Sequence, residues 1–63
     1  DLKTYLNRTQ QTPYAFCRDH GFKKTMVYYI INNKRRPSPN MASRIERATG
    51  GAVTRMELLY PND

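Results

Sequence analysis

The chain has 63 residues, one cysteine and a formal net charge of +6 at pH 7, because 11 lysines and arginines outnumber five aspartates and glutamates. We expect one domain over residues 1–63, since a chain this short builds a single small core. One cysteine excludes an internal disulfide and is typical of the reducing cytoplasm. No apolar run approaches the ~20 residues that cross a bilayer and no signal-peptide pattern opens the chain, so we expect a soluble cytoplasmic protein without a membrane partner.

The first apolar residues follow helical spacing. Leu2, Tyr5 and Leu6 recur at i, i+3 and i+4 and predict a helix that ends near Arg8. Residues 9–11 follow as a short polar connector. This helix has no chemistry of its own, and we expect it to cover the back of the next segment.

Residues 12–33 predict two short helices joined by a tight turn. Thr12 suits the N-cap of the first helix, because its hydroxyl accepts from a backbone N–H that has no partner within the helix. Pro13 suits the first helical position. Gly21 follows where the chain reverses, since glycine adopts the left-handed conformation without a Cβ clash.

The second of these helices begins at Lys24, after Phe22 has re-entered the core. Val27, Ile30 and Ile31 form its buried stripe at helical spacing. Together the two helices show the pattern of a helix-turn-helix motif. This favours DNA binding over a plain amphipathic hairpin.

Cys17 and His20 lie three positions apart on the first helix of the motif, a spacing compatible with a thiol nucleophile and its base. Both share with Phe16 the face that packs against the next helix, and the chain is too short for an ordinary substrate pocket. We therefore expect a core cysteine and a core histidine, and no enzyme. One Cys and one His are also two ligands where a structural zinc site needs four, so we expect no metal or cofactor.

The positive charge is concentrated around the second helix of the motif. Residues 22–36 contain no acid and five cations, namely Lys23, Lys24, Lys34, Arg35 and Arg36. A basic block beside a recognition helix indicates a surface for a polyanion.

The face of the recognition helix opposite its apolar stripe mixes hydrogen-bond donors, acceptors and methyl groups. Lysine can donate to guanine O6 and N7, asparagine can pair with adenine, and threonine or tyrosine can meet a thymine methyl. The first turn of such a helix enters the groove deepest, so we expect its residues to contribute most to base reading. The predicted base-reading residues are Lys23, Lys24, Thr25, Tyr28, Tyr29 and Asn32, with Tyr29 equally compatible with core packing.

The loop after the recognition helix is basic and rich in proline. Asn33 is predicted to end the helix in the left-handed conformation. The prolines of the KRRPSP segment exclude a helix and hold the loop extended beside the recognition helix. We expect phosphate contacts here, which fix register and add affinity without reading sequence. The predicted residues are Asn33, Lys34, Arg35 and Arg36.

Two further helices follow the loop. Ser38 caps the fourth helix, Pro39 begins it, and the glycines at 50–51 stop it. Its predicted buried stripe is Met41, Ile45 and Ala48. Its outer side carries Arg44, Glu46 and Arg47, which we expect to be solvated.

Thr54 and Glu57 form a capping box for a fifth helix, across which Val53 and Leu58 form a hydrophobic staple. This helix is predicted to run to about Tyr60, and Pro61 to end the domain. Its residues are more apolar than one face of a short helix can bury, so some close the core and the remainder form a dimer contact. The predicted dimer set is Met56, Leu58, Leu59 and Tyr60.

From the LKTYL segment at 2–6 onward, three stretches carry a family resemblance: the turn at 21–22, the RRPSP loop at 35–39, and RIERATGGAVTRMEL at 44–58. With these motifs the chain resembles the YdaS-type family of small Cro-like regulators from phages and prophages. The resemblance implies a five-helix, lambda-repressor-like fold, operator binding, and repression of divergent or early phage promoters. Some members are antitoxin-like partners of an adjacent toxin, so it also implies a toxin as an alternative partner.

The chain departs from the family at the motif itself. A glutamine often opens the first helix of the motif and touches a phosphate, whereas Pro13 stands here, which leaves that contact to Thr12 or Gln11. Family members commonly begin the recognition helix with a small capping residue, and this chain has the lysines at 23–24. The operator sequence is therefore not carried over from relatives. Cys17 stands where alanine is usual.

The sequence thus predicts an all-α bundle that represses transcription from double-stranded operator DNA, as a homodimer, in the nucleoid of a bacterial host. Weak self-association that becomes cooperative on DNA is equally compatible. One rival is an antitoxin-type module that neutralises a partner protein and autoregulates its operon. The other is an enzyme, which would require both Cys17 and His20 to be exposed.

Overall fold

The computed structural model describes residues 1–60, and the predicted domain end at Pro61 lies outside them. Within this range the chain is all-α, with five helices and no strand. The helices are α1 (Leu2–Arg8), α2 (Pro13–His20), α3 (Lys24–Ile31), α4 (Pro39–Ala48) and α5 (Arg55–Leu59). The predicted fold class, helix order and approximate boundaries are confirmed.

Three helices begin in the same way. The hydroxyls of Thr12, Ser38 and Thr54 each accept from the backbone N–H three residues later, at 3.1 to 3.2 Å. Pro13 and Pro39 then occupy the first helical position, where a missing N–H costs nothing. The local sequence therefore determines where these helices start.

The core lies where α2 packs on α3, α1 on α3, and α4 on α5. Its buried members come from all five helices and from the two segments that precede α3 and α5. They are Leu2, Leu6, Phe16, Cys17, Phe22, Val27, Ile30, Ala42, Ile45, Val53 and Leu58. Two predicted stripes are shifted, since Ile31, Met41 and Ala48 are only partly buried and Ala42 is fully buried.

The prediction of a core histidine is wrong. His20 is the last residue of α2 and its side chain is exposed, although its ring rests 4.8 Å from the Phe16 ring and 6.0 Å from the Phe22 ring, centroid to centroid. The reason is position: at the end of α2 the imidazole covers the edge of the aromatic core and does not enter it.

Two acids of the second half have partners that the sequence did not indicate. Glu46, expected to be solvated, accepts from the backbone N–H of Arg55 at 3.3 Å and thereby helps to start α5. Glu57 lies 3.8 Å from the amino group of Asp1. Only the threonine half of the capping box is present, with Thr54 accepting from the Glu57 N–H, and Val53 and Leu58 are both buried, as expected of the staple.

Candidate nucleic-acid interface

The start of α3 is fixed by the turn that precedes it. Gly21 has φ +72°, in the left-handed region, and its N–H and that of Phe22 both donate to the carbonyl of Cys17. Phe22 is buried against Phe16, with ring centroids 5.5 Å apart. Only residues 21–23 separate the two helices, so the first turn of α3 has a set position relative to α2.

The outer face of α3 carries the predicted base-reading residues. Val27 and Ile30 point into the core, and the positions between them point to solvent. Lys23, Lys24, Thr25, Tyr28, Tyr29 and Asn32 are all exposed. Tyr29, for which core packing was an equal alternative, is 40% exposed, close to the 45% of Tyr28. The structure therefore brings all six side chains to the surface of one helix and its ends.

Lys24 contacts an aromatic ring from the other helix of the motif. Its ammonium lies 4.9 Å from the centroid of the Tyr14 ring, and the Arg18 guanidinium lies 5.9 Å from the same centroid. Tyr14 is 53% exposed and was not identified from the sequence. The i, i+4 spacing of Tyr14 and Arg18 on α2 signals their pairing, whereas no spacing rule reports the approach of Lys24 from α3.

The basic loop is folded against the end of α3. Asn33 has φ +57°, as predicted, and the Lys34 N–H donates to the Tyr29 carbonyl at 2.8 Å. The Arg35 guanidinium lies 5.8 Å from the centroid of the Tyr29 ring. Pro37 is buried, which anchors the far side of the loop. The four predicted phosphate-contacting residues, Asn33, Lys34, Arg35 and Arg36, are all exposed.

The two candidates for the remaining phosphate contact differ in exposure and in their hydrogen bonds. Thr12 is exposed, and its oxygen accepts from the Ala15 N–H while the hydroxyl proton stays free to donate. Gln11 is partly buried, and its amide nitrogen donates to the Thr9 hydroxyl at 2.9 Å. This difference favours Thr12.

The cations of this surface lie apart from the carboxylates of residues 1–60. Among residues 1–60 the only ion pairs join the Asp1 amino group to Glu57 and Arg18 to Asp19. The cations of the 22–36 segment therefore have no carboxylate partner in the described part of the chain. Such a surface attracts a polyanion.

The predicted dimer set divides in two. Met56 and Tyr60 are 59% and 48% exposed, whereas Leu58 is 7% exposed and closes the core. Leu59 is partly buried against the core. The inclusion of Leu58 as a contact for a partner is wrong, because its side chain is already covered as the second half of the α5 staple. Met56 and Tyr60 border an open groove of about 1020 Å³ that the basic loop and the start of α1 also line.

Cys17 and His20 differ in their exposure to solvent. Cys17 is buried, and burial raises the pKa of its thiol, an effect that the charge of Lys24 partly opposes. His20 faces solvent beyond the aromatic core. The condition that both side chains be exposed is not met.

Within residues 1–60 no group of three or more His, Cys, Asp or Glu side chains could hold a metal ion. No helix in the same range has the length and apolar character to cross a membrane. A comparison of the chain with models of protein families, with curated proteins and with solved structures finds no match. What the chain can do is therefore argued from its own side chains and from the sequence motifs quoted above.

Proposed function

We propose that this protein is a sequence-specific transcriptional repressor of Cro type, which binds double-stranded operator DNA of a phage or prophage as a dimer. In this hypothesis α3 is the recognition helix of a lambda-repressor-like motif. The protein acts in the nucleoid of a bacterial cell, and its mechanism is steric, because two copies of α3 in successive major grooves cover the promoter.

One observation carries the proposal. A single helix presents exposed donor, acceptor and aromatic groups along its outer face. Cations that have no carboxylate partner within residues 1–60 flank it at both ends. Base edges in the major groove require such a mixture, and phosphates on either side of the groove require such cations. The base-reading set is Lys23, Lys24, Thr25, Tyr28, Tyr29 and Asn32, and the phosphate set is Thr12, Asn33, Lys34, Arg35 and Arg36.

Selection of random duplexes by the purified protein at two salt concentrations tests the proposal. Two-fold symmetry predicts a palindromic consensus with half-sites about one helical turn apart, roughly 34–36 Å. Affinity should fall steeply with salt, because each neutralised phosphate contributes about 0.9 to the logarithmic salt slope. A single half-site would retain DNA binding and remove the dimer. Failure to enrich any sequence would overturn the proposal.

Variants separate the two sets of residues. Arg35→Ala should weaken binding to all duplexes alike and reduce the salt slope by about one unit. Thr25→Ala should instead relax the preference at one base pair, by about 1–3 kcal/mol for a good contact. Arg47→Ala, which removes an exposed cation from α4, is the charge-matched control and should change neither property. Identical profiles for the loop and helix variants would contradict this division of roles.

One feature favours a second candidate, an antitoxin-type module that binds a toxin. The exposed apolar side chains of Met56 and Tyr60 border the groove beside α5, and such groups suit a protein partner. Binding of that kind would depend much less on salt than binding to phosphates. Sedimentation of the protein with and without its selected duplex distinguishes a homodimer contact, which Met56→Ser would weaken, from a surface for another protein.

A further inference from the structure

Lys24 is the cation of α3, and its side chain contacts an aromatic ring on α2. Its ammonium stands 4.9 Å from the centroid of the Tyr14 ring, within the ~6 Å at which a cation and an aromatic face attract. Tyr14 is the second residue of α2 and Lys24 the first of α3, so the pair spans the turn of the motif. Tyr14 is more than half exposed and does not belong to the buried core.

We propose that Tyr14 is a specificity-determining residue: it holds the Lys24 ammonium at one place beside the start of α3, so that Lys24 reads a base and does not simply contact a phosphate. This inference rests on the proposed DNA-binding function and extends it to a residue outside the recognition helix. Tyr14 acts through Lys24 and is therefore a positioning residue.

The argument begins with the freedom of a lysine side chain. A lysine on a surface samples many rotamers, and fixing them costs conformational entropy. A mobile ammonium contacts whichever anionic oxygen is nearest, and phosphates outnumber guanines along the groove. A ring that holds the ammonium before DNA arrives removes part of this entropy cost and limits the positions that the ammonium reaches.

Contact with the ring leaves the ammonium able to bind DNA. An ammonium has three N–H donors, and one ring face engages only one side of it. The other donors remain available for guanine O6 and N7, the acceptor pair of that base in the major groove. Arg18 lies farther from the ring and is also 3.4 Å from the Asp19 carboxylate, so its charge is partly compensated.

Lys23 provides an internal comparison. It is exposed and adjacent in sequence, but it precedes the helix with extended backbone, and its ammonium has no aromatic contact among the described residues. We therefore move Lys23 from the base-reading set to the phosphate set, and keep Lys24 as a base-reading cation. Lys23→Ala should weaken binding to all duplexes alike, and Lys24→Ala should reduce the preference at one base pair.

The experiment compares Tyr14→Leu, Tyr14→Phe, Lys24→Ala and the double variant Y14L/K24A, with Arg47→Ala as a control at an exposed residue outside the predicted binding sets. The first measurement is the proton chemical shift of the Lys24 ε-methylene in the free protein. The ring should shift it upfield in the wild type and in Tyr14→Phe, and the shift should vanish in Tyr14→Leu. This measurement needs no DNA, and thermal unfolding of each variant reports its fold.

The second measurement is the affinity of each variant for the selected duplex and for its single-base-pair changes. Tyr14→Leu should bind the preferred duplex about two- to fivefold more weakly, as expected for an exposed cation–π pair. The loss of preference should fall at the base pair that Lys24→Ala affects. Y14L/K24A should bind no more weakly than Lys24→Ala, while Tyr14→Phe and Arg47→Ala should match the wild type.

Three results would overturn the positioning role: additive effects in Y14L/K24A, a loss in Tyr14→Phe equal to that in Tyr14→Leu, or no ring-dependent shift of the Lys24 methylene. If the wild-type protein enriches no duplex, the proposed function itself fails and the specificity role fails with it. The chemical shifts then report the Tyr14–Lys24 contact separately, so the two failures are distinguishable.

Discussion

The two ends of α3 present cations in different ways. At its amino-terminal end the chain reverses within residues 21–23, and Lys24 is carried by the helix itself. At its carboxyl-terminal end the chain takes residues 32–38 to reach α4, and Arg35 is carried by an irregular loop. Each end also has a tyrosine against a cation, Tyr14 with Lys24 and Tyr29 with Arg35.

In the proposed function, this difference lets one helix serve two purposes. A side chain on a helix held by a buried core moves little, and discrimination between bases requires such accuracy. A side chain on a loop moves more, and phosphates tolerate this because they carry no sequence information. We infer that accuracy is concentrated at the amino-terminal end of α3 and affinity at the carboxyl-terminal end.

The largest effect should come from truncating Phe22, whose buried ring fixes the chain just before the amino-terminal end of α3. Phe22 is buried against Phe16, and Phe22→Ala should cost about 3–5 kcal/mol in the free energy of unfolding. A domain of this size has few kcal/mol to lose, so the variant should be largely unfolded. Denaturant titration followed by circular dichroism measures this loss.

The matched variant at the other end is Pro37→Ala, which alters the buried residue of the loop. It removes little volume and mainly frees the unfolded chain, so we expect a loss of about 1 kcal/mol or less. Equal losses for the two variants would mean that the ends of α3 are anchored equally, against the comparison drawn above.

The next effect concerns the two left-handed residues that bound α3. At Gly21 an added Cβ would meet no atom within 4 Å, so Gly21→Ala tests backbone conformation alone and should cost about 1–2 kcal/mol. Asn33→Gly at φ +57° should change stability by only a few tenths of a kcal/mol, because asparagine tolerates this conformation. Thermal unfolding measures the stability of both variants. Gly21→Asn should destabilise the protein less than Gly21→Ala does.

The sequence predicts those parts of this fold that depend on neighbouring residues. Thr12, Ser38 and Thr54 cap helices as expected, because the start of a helix brings the hydroxyl of its N-cap residue close to the N–H three residues later. The left-handed conformations of Gly21 and Asn33 were also predictable, because glycine and asparagine tolerate this conformation after the end of a helix. The outer face of α3 followed from helical periodicity once its buried stripe was known.

The contacts that the sequence did not predict depend on how the helices pack. Arg44 is exposed, as expected, but its guanidinium also lies 5.0 Å from the centroid of the Phe22 ring. Thr49 was overlooked, although its buried hydroxyl donates to the Ile45 carbonyl and accepts from the Val53 N–H, linking α4 to the segment before α5. The contact between Tyr14 and Lys24 belongs to this group. No spacing along the chain encodes such contacts, since they arise from the approach of two separate elements.

The smallest effect tests the electrostatics beneath the amino-terminal end of α3. Burial raises the pKa of the Cys17 thiol above its ordinary value, and the charge of Lys24 opposes this in part. The folded protein therefore holds the thiol proton more tightly than the unfolded chain does. This contribution to stability is fully present below the unfolded thiol pKa of about 8.5 and is lost as pH rises through the folded pKa.

Denaturant midpoints measured between pH 7 and 10 should therefore fall more steeply in the wild type than in Cys17→Ala, because the variant lacks the thiol. Lys24→Ala removes the charge that favours the thiolate, so the pKa of Cys17 in the folded protein should rise further and the alkaline loss of stability should extend to higher pH. Lys23→Ala is the control, because Lys24 is the cation whose charge lowers the pKa of Cys17. If Lys23→Ala and Lys24→Ala gave the same pH dependence, Lys24 would not be held near the buried face of α2, and the accuracy inferred for the amino-terminal end of α3 would lose its basis.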